Sequence, residues 1–152
     1  MNRVYYINQD EEVRHWSNFA RFPVNIRGKL WPTTEHFFQA AKFFNTDPEW
    51  AEAIRNVKWP SESKKMGKDR SKPLDPNWEG GLKLQIMLEA LLAKADQHPE
   101  LLQELLDTGD AEIIERADWD PIWGDGPNRD GLNFLGRLCM IVRDIKRKER
   151  SG

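Results

Sequence analysis

The sequence predicts a compact, mainly α-helical domain with a small β element, and it carries no internal repeat. Three observations lead there. Apolar residues recur at helical spacing through the middle and end of the chain. Strand-prone residues gather only in short runs near its start. At 152 residues the chain is long enough for one real core and short for two, so residues 1–152 are expected to be a single domain.

In chain order, Val4-Tyr5-Tyr6-Ile7 has strand-forming composition. Phe22 to Trp31 reads as a hairpin, because Val24 and Ile26 alternate before an Arg27-Gly28 turn. Thr33 is a suitable N-cap after Pro32, with Glu35 placed to complement the helix dipole, and the helix is expected to end near Asn45. Short helices follow at Glu49 to Val57 and at Ser61 to Met66, the second capped by Ser61 and stopped by Gly67. After a turn from Pro73 to Asn77, Leu82, Ile86, Leu88, Leu91 and Leu92 support a long helix to about Asp96. Pro99 starts another, with Leu101, Leu102, Leu105 and Leu106 inward. Ile113-Ile114 is apolar and of open type, and Asp118 to Asp130 is a loop rich in Asp, Pro, Gly and Trp. A final helix runs from about Leu132 to Lys148, its Lys146 to Gly152 end expected to fray.

The first of these helices is the most informative. At about 100° per residue, Glu35, Gln39 and Lys42 fall within roughly 60° of one another, while Phe37, Ala40, Ala41, Phe43 and Phe44 occupy most of the other directions. A helix apolar nearly all round is enclosed by protein. Its polar stripe must then pair internally or face a cleft, because an isolated buried charge is costly. Pattern alone supports a catalytic face and a structural ion pair equally.

Composition narrows the classes of function. Lys and Arg number 23 against 25 Asp and Glu, a formal charge of −2, which gives no global field for duplex binding. The single cysteine, Cys139, cannot close an internal disulfide and falls on the inward side of the last helix. No stretch has the length of a membrane span or the profile of a signal peptide, so a cytoplasmic setting without a membrane partner is expected. His15, His36 and His98 lie far apart without zinc-ligand spacing, and no phosphate-binding glycine fingerprint occurs, so neither metal nor cofactor is expected. Carboxylates with aromatic and basic neighbours remain. Glu35 is the leading candidate acid or base, since enclosure raises a carboxyl pKa and a nearby ammonium such as Lys42 lowers it. Asp120 and Asp125 lie among Trp119 and Trp123, and glycosidic hydrolysis usually employs two carboxyl groups from separate elements. The bland account, an Asp-rich turn, competes. Met66 to Leu74 offers Lys68, Arg70 and Lys72 with Gly67, a set able to hold phosphate or to form a solvated surface.

Trp16-Ser17-Asn18-Phe19, Pro32-Thr33-Thr34-Glu35-His36-Phe37-Phe38-Gln39, Met66-Gly67 with Arg70 to Leu74, Asn77-Trp78, Gln97 to Leu101 and Trp123-Gly124-Asp125-Gly126 together resemble the NADAR, or YbiA-like, family. The fragments occur in the family's order over nearly the whole chain. The resemblance implies a mainly helical fold with a small β element and an N-glycosidase activity. Its substrates would be phosphoribosylamino-pyrimidine intermediates of early riboflavin synthesis, or ADP-ribose attached to the amino group of guanine, including guanine in DNA or RNA. Carried over by position, it implies Glu35 and Asp120 as catalytic and Trp78 as functional. Asn18, Phe19, Trp31, His36, Gln39, Gly67, Arg70, Lys94, Trp123, Gly124 and Asn133 would line the substrate site. Lys42 enters as a catalytic candidate because it shares the stripe with Glu35, and with Lys94 it is a candidate for capturing a ring-opened imine as a Schiff base. The rival class is a non-catalytic module that binds ADP-ribose or a related nucleotide. Trp16 stands where the family often has Phe, and Ala95 where it has Phe.

Overall fold

The computed structural model describes residues 3–152. Its elements run β1 (Val4–Tyr6), β2 (Val24–Ile26), β3 (Lys29–Trp31), α1 (Thr34–Ala41), α2 (Pro48–Arg55), α3 (Pro60–Gly67), α4 (Lys83–Gln97), α5 (Pro99–Leu106), β4 (Glu112–Ile114) and α6 (Phe134–Ser151). The expected fold class, mainly α with a small β component, is the one observed. Two compact units divide the chain, a central one from Asn18 to Lys94 and a terminal one from the first residues through Ser17 with Ala95–Gly152.

In the central unit, β2 and β3 pair antiparallel with Val24 opposite Trp31. Arg27 (φ 55°) and Gly28 (φ 78°) both take the left-handed conformation that a two-residue hairpin turn requires. Arg27 accepts it as a non-glycine, and its guanidinium forks onto Glu89 at 2.9 and 2.8 Å. Trp31 is buried, donates from Nε1 to Ile26 O, and meets Phe37 edge-on at 5.3 Å. Thr33 caps α1 as expected, accepting from His36 N, and every residue of α1 is buried beneath α2 and α3. That helix is shorter than expected. It ends at Ala41, where Phe43 N turns to Ala40 O at 2.9 Å in place of Gln39 O, and just beyond it the Lys42 carbonyl receives Asp75 N at 2.9 Å. Helix α3 begins before the expected Ser61, at Pro60, with Glu62 accepting from the Trp59 backbone N–H at 3.1 Å; Gly67 is its last residue. A π turn from Trp78 to Leu82, relaxed at Gly81 (φ 123°), leads into α4.

In the terminal unit the apolar pair Ile113-Ile114 lies in β4, which runs parallel to β1, Val4 opposite Glu112 and Tyr6 opposite Ile114. Helix α6 packs on β4, and Gly136 permits this, since a Cβ there would stand 2.1 Å from Ile113 O. Helix α6 continues to Ser151, through most of the 146–152 segment expected to fray. Charged side chains tether it, Lys146 to Asp96 and Glu149, Arg147 to Asp110, and Arg150 to Gln103. Cys139 is buried as anticipated, and no helix among the described residues is long and apolar enough to cross a membrane.

Candidate active site

The central unit brings together Glu35, Gln39, Lys42, Gly67, Arg70 and Trp78. Helical spacing stacks the first three along α1, and all are buried, at 6%, 4% and 9% exposure. Gln39 Nε2 donates to Glu35 Oε2 at 2.7 Å. One turn on, Lys42 Nζ donates to Gly67 O at 3.4 Å, and Arg70 Nη1 reaches the same carbonyl at 3.2 Å. The ammonium lies 5.8 Å from the Phe38 ring and 6.0 Å from the buried Trp78 ring, which pack against each other at 5.1 Å. Trp78 thus forms an enclosed wall behind the amine.

Burial pushes the Lys42 amine down to about 8; Glu35 opposes that shift, while Arg70 and Lys68 reinforce it and Glu79 resists. By definition of a pKa, about a tenth of such a lysine is neutral at pH 7, against a negligible share for a free one. The stripe can therefore supply a carboxylate, an amide and an amine able to act as cation or as nucleophile.

The remaining central residues differ in role. Asn18 ties the entry of α1: its carbonyl accepts from Glu35 N at 3.1 Å and its Oδ1 from Thr34 Oγ1 at 2.8 Å. His36 is fully buried, with Nε2 at 2.9 Å from Val57 O and Nδ1 at 2.8 Å from Thr33 Oγ1. A carbonyl can only accept, so Nε2 carries the proton and Nδ1 accepts from the hydroxyl; burial also holds the ring below the usual imidazole range. Trp31 serves the hairpin. Phe19 is 40% exposed, with Lys64 Nζ 5.8 Å from its ring. Lys94 is wholly buried on α4, 5.9 Å from the Phe22 ring.

Asp120, Trp123, Gly124 and Asn133 belong to the terminal unit. Asp120 Oδ1 accepts from Ile122 N and Trp123 N at 3.0 and 2.9 Å, a turn geometry that orders the loop. Trp123 meets Phe134 edge-on at 5.9 Å. Gly124 has room for no side chain, since a Cβ there would stand 2.7 Å from Ala117 Cβ and 2.9 Å from Glu115 O. Asn133 extends the sheet with its side chain, donating to Ile113 O and accepting from Glu115 N. A groove of about 540 Å³ in this unit includes Asn133. Three guanidiniums, Arg3, Arg129 and Arg137, and three carboxylates, Asp110, Glu112 and Asp125, line it, so its charges offset in number.

Asp75 is a residue of this site that the sequence patterns do not single out. It is buried, donates its N–H to Lys42 O, and accepts from Asn77 N at 2.8 Å and Asn45 Nδ2 at 3.2 Å. Its backbone carbonyl accepts from Trp78 N. It therefore locks the Trp78 wall to the end of the stripe, and its available signal is Asp75-Pro76-Asn77, an Asx-turn sequence.

A small, mainly helical protein that stacks an acid, an amide and a weakly basic amine on one enclosed helix face is equipped, as a class, for acid–base chemistry on a ligand. The chain belongs to the NADAR domain family, whose model matches residues 4–146. It is 44% identical over 141 residues to the N-glycosidase YbiA of Escherichia coli, covering 93% of this chain and 86% of that one. The NMR structure of the E. coli protein YbiA superimposes with a TM-score of 0.87 at 43% identity, over 99% of this chain and 89% of the other. An N-glycosidase of Nostoc punctiforme is 34% identical, covering 93% of this chain and 90% of its own. A chloroplastic riboflavin biosynthesis protein of Zea mays is 35% identical over 84% of this chain and 22% of its own length.

Proposed function

We propose that this chain is an N-glycosidase that hydrolyses the bond between a ribosyl carbon and an exocyclic base nitrogen, with Glu35 as its general acid and base. One observation carries the reading: a carboxylate that accepts an amide N–H at 2.7 Å shares a buried helix face with a lysine whose amine is pushed down to about 8. The N-glycosidase activity for which the E. coli and Nostoc relatives are named supports the reaction class. In the first step Glu35 gives its proton to the leaving nitrogen as the C–N bond breaks and its electron pair passes to nitrogen. Water then adds to the oxocarbenium carbon and returns a proton to the Glu35 carboxylate. Lys42 as a cation balances that carboxylate, and Arg70 with Lys68 suits the phosphate of the ribose. Asp120 stays a candidate for orienting ribose or water on family resemblance alone.

The finer substrate is a phosphoribosylamino-pyrimidine of early riboflavin synthesis, which the name of the maize relative favours, or ADP-ribosyl-guanine, free or in DNA or RNA. Parallel incubation with both, following release of ribose phosphate or ADP-ribose, decides between them. Binding of either without release would identify a non-catalytic ADP-ribose or nucleotide-binding module. Replacing Glu35→Gln preserves size and removes the ionisable group; turnover near that of the wild type would sink the assignment.

The lowered basicity of Lys42 favours a second route. A glycosylamine opens to an imine; neutral Lys42 Nζ adds at the ribosyl carbon, the base amine leaves with a proton, and water hydrolyses the lysyl imine. Borohydride added during turnover would fix a ribosyl group on Lys42, or on the buried Lys94, for detection by mass spectrometry. Absence of any adduct removes this route.

A further inference from the structure

We infer that Gln39 is a positioning residue that supports Glu35 in both of its protonation states by rotating its side-chain amide. The inference rests on the reading of Glu35 as acid and base. Gln39 donates from Nε2 to Glu35 Oε2 at 2.7 Å, a bond that suits a carboxylate, which only accepts. The other end of the same amide is bare: Oε1 is buried and has no hydrogen-bond partner among the described residues. Buried polar atoms in native proteins are nearly always paired, so an orphan beside a candidate catalyst needs a reason.

The neighbour of that oxygen supplies one. Gly67 is the residue it faces, and a Cβ on Gly67 would stand 1.9 Å from Oε1 and 2.7 Å from the amide carbon. Glycine therefore reserves the space in which the amide end sits and turns. When Glu35 holds a proton its O–H needs an acceptor, and rotating the Gln39 amide by about 180° brings Oε1 to that O–H and carries the N–H₂ group toward Gly67. Loss of the proton to the leaving group reverses the turn. A glutamate, methionine or arginine at 39 could serve only one of the two states well.

The charged groups coupled to this face are Lys42 at the C-cap of α1, Lys68 and Arg70 beyond α3, and Glu79 in the turn before α4; α3 itself carries Glu62, which accepts from Trp59 N, with Lys64 and Lys65. Helix α2 brings Glu52 and Arg55, paired with each other, and β3 brings Lys29, paired with Glu52. None of these charged groups can both donate to a carboxylate and accept from a carboxylic acid. The Asn18 amide is already engaged, accepting from Thr34 Oγ1 and donating to Met87 Sδ.

The test is a pH titration of the intact protein labelled with ¹³C at glutamate carboxyls and ¹⁵N at glutamine amides. The Gln39 N–H₂ signals are expected to move with the same midpoint as the Glu35 carboxyl carbon. In Gln39→Met the Glu35 midpoint is expected to rise by about one unit, because the donor to the ionised form is lost, and the matching limb of the kcat/KM profile should move with it. Gly67→Ala, which crowds the amide without touching Glu35, should shift the midpoint in the same direction and carries the test if Gln39→Met does not fold. Amide signals that stay fixed while Glu35 titrates, or a midpoint unmoved in the variant, overturn the inference. Undiminished turnover in Glu35→Gln would instead overturn the acid–base reading beneath it, so the two failures are distinct.

Discussion

The α1 stripe and the loop from Ala117 to Asn133 both place buried carboxylates near aromatic side chains, yet they solve the problem of burial in opposite ways. Burial alone would raise the Asp125 carboxyl, but Ala117 N at 2.9 Å and the Arg116 and Arg129 guanidiniums outweigh it and hold the group below its usual range. Every requirement of that carboxylate is met, so it stabilises the loop. On α1 the amine is pushed toward neutrality and the amide beside the acid has an orphan oxygen. Satisfied charges hold a fold together; incompletely satisfied ones mark where a ligand or a proton is expected to act.

The contrast breaks first under Glu35→Gln, expected to lower turnover about 10²- to 10⁴-fold, the usual range for a lost general acid or base, with a melting temperature close to that of the wild type. Asp125→Ala should do the reverse. It leaves Arg116 without its buried partner and is expected to cost about 3 kcal/mol in denaturant unfolding, and a variant as stable as the parent would place both regions in the same category. Lys42→Met comes next. The folded pKa of about 8 lies below the unfolded value of 10.5, so charged Lys42 opposes folding below pH 8, and stability is regained as pH rises from about 8 to 10.5. Removing the amine should thus raise stability near pH 7 by about 1–3 kcal/mol while activity falls, and the gain should vanish by pH 10.5. The smallest effect belongs to Trp119→Ala. That indole is 70% exposed, and its removal should change stability by less than about 0.5 kcal/mol.

Much of this organisation is legible in the sequence because it is local. The hairpin turn, the Thr33 cap and the polar stripe each depend on residues within a few positions of one another, where periodicity and backbone preference decide. What escapes depends on distant partners. The chain just beyond the early end of α1 is held by Asp75 taking the Lys42 carbonyl, and the last turns of α6 are held by Asp96, Asp110 and Gln103. Neither is visible in the segment it alters. The candidate site is legible in its α1 part for the same reason, whereas the anchoring of His36, Trp31 and Asn133 emerges only once Val57, Ile26 and Ile113 are seen to receive their hydrogen bonds.

The parallel pairing of β1 with β4 has a consequence for how the molecule is made. The central unit is one uninterrupted segment, so all of its residues are present once Lys94 has been synthesised. The terminal unit must wait, because Val4 to Tyr6 have no ladder partner until Glu112 to Ile114 arrive. During synthesis every residue of the candidate catalytic stripe and of the Trp78 wall therefore precedes the partner that β1 awaits.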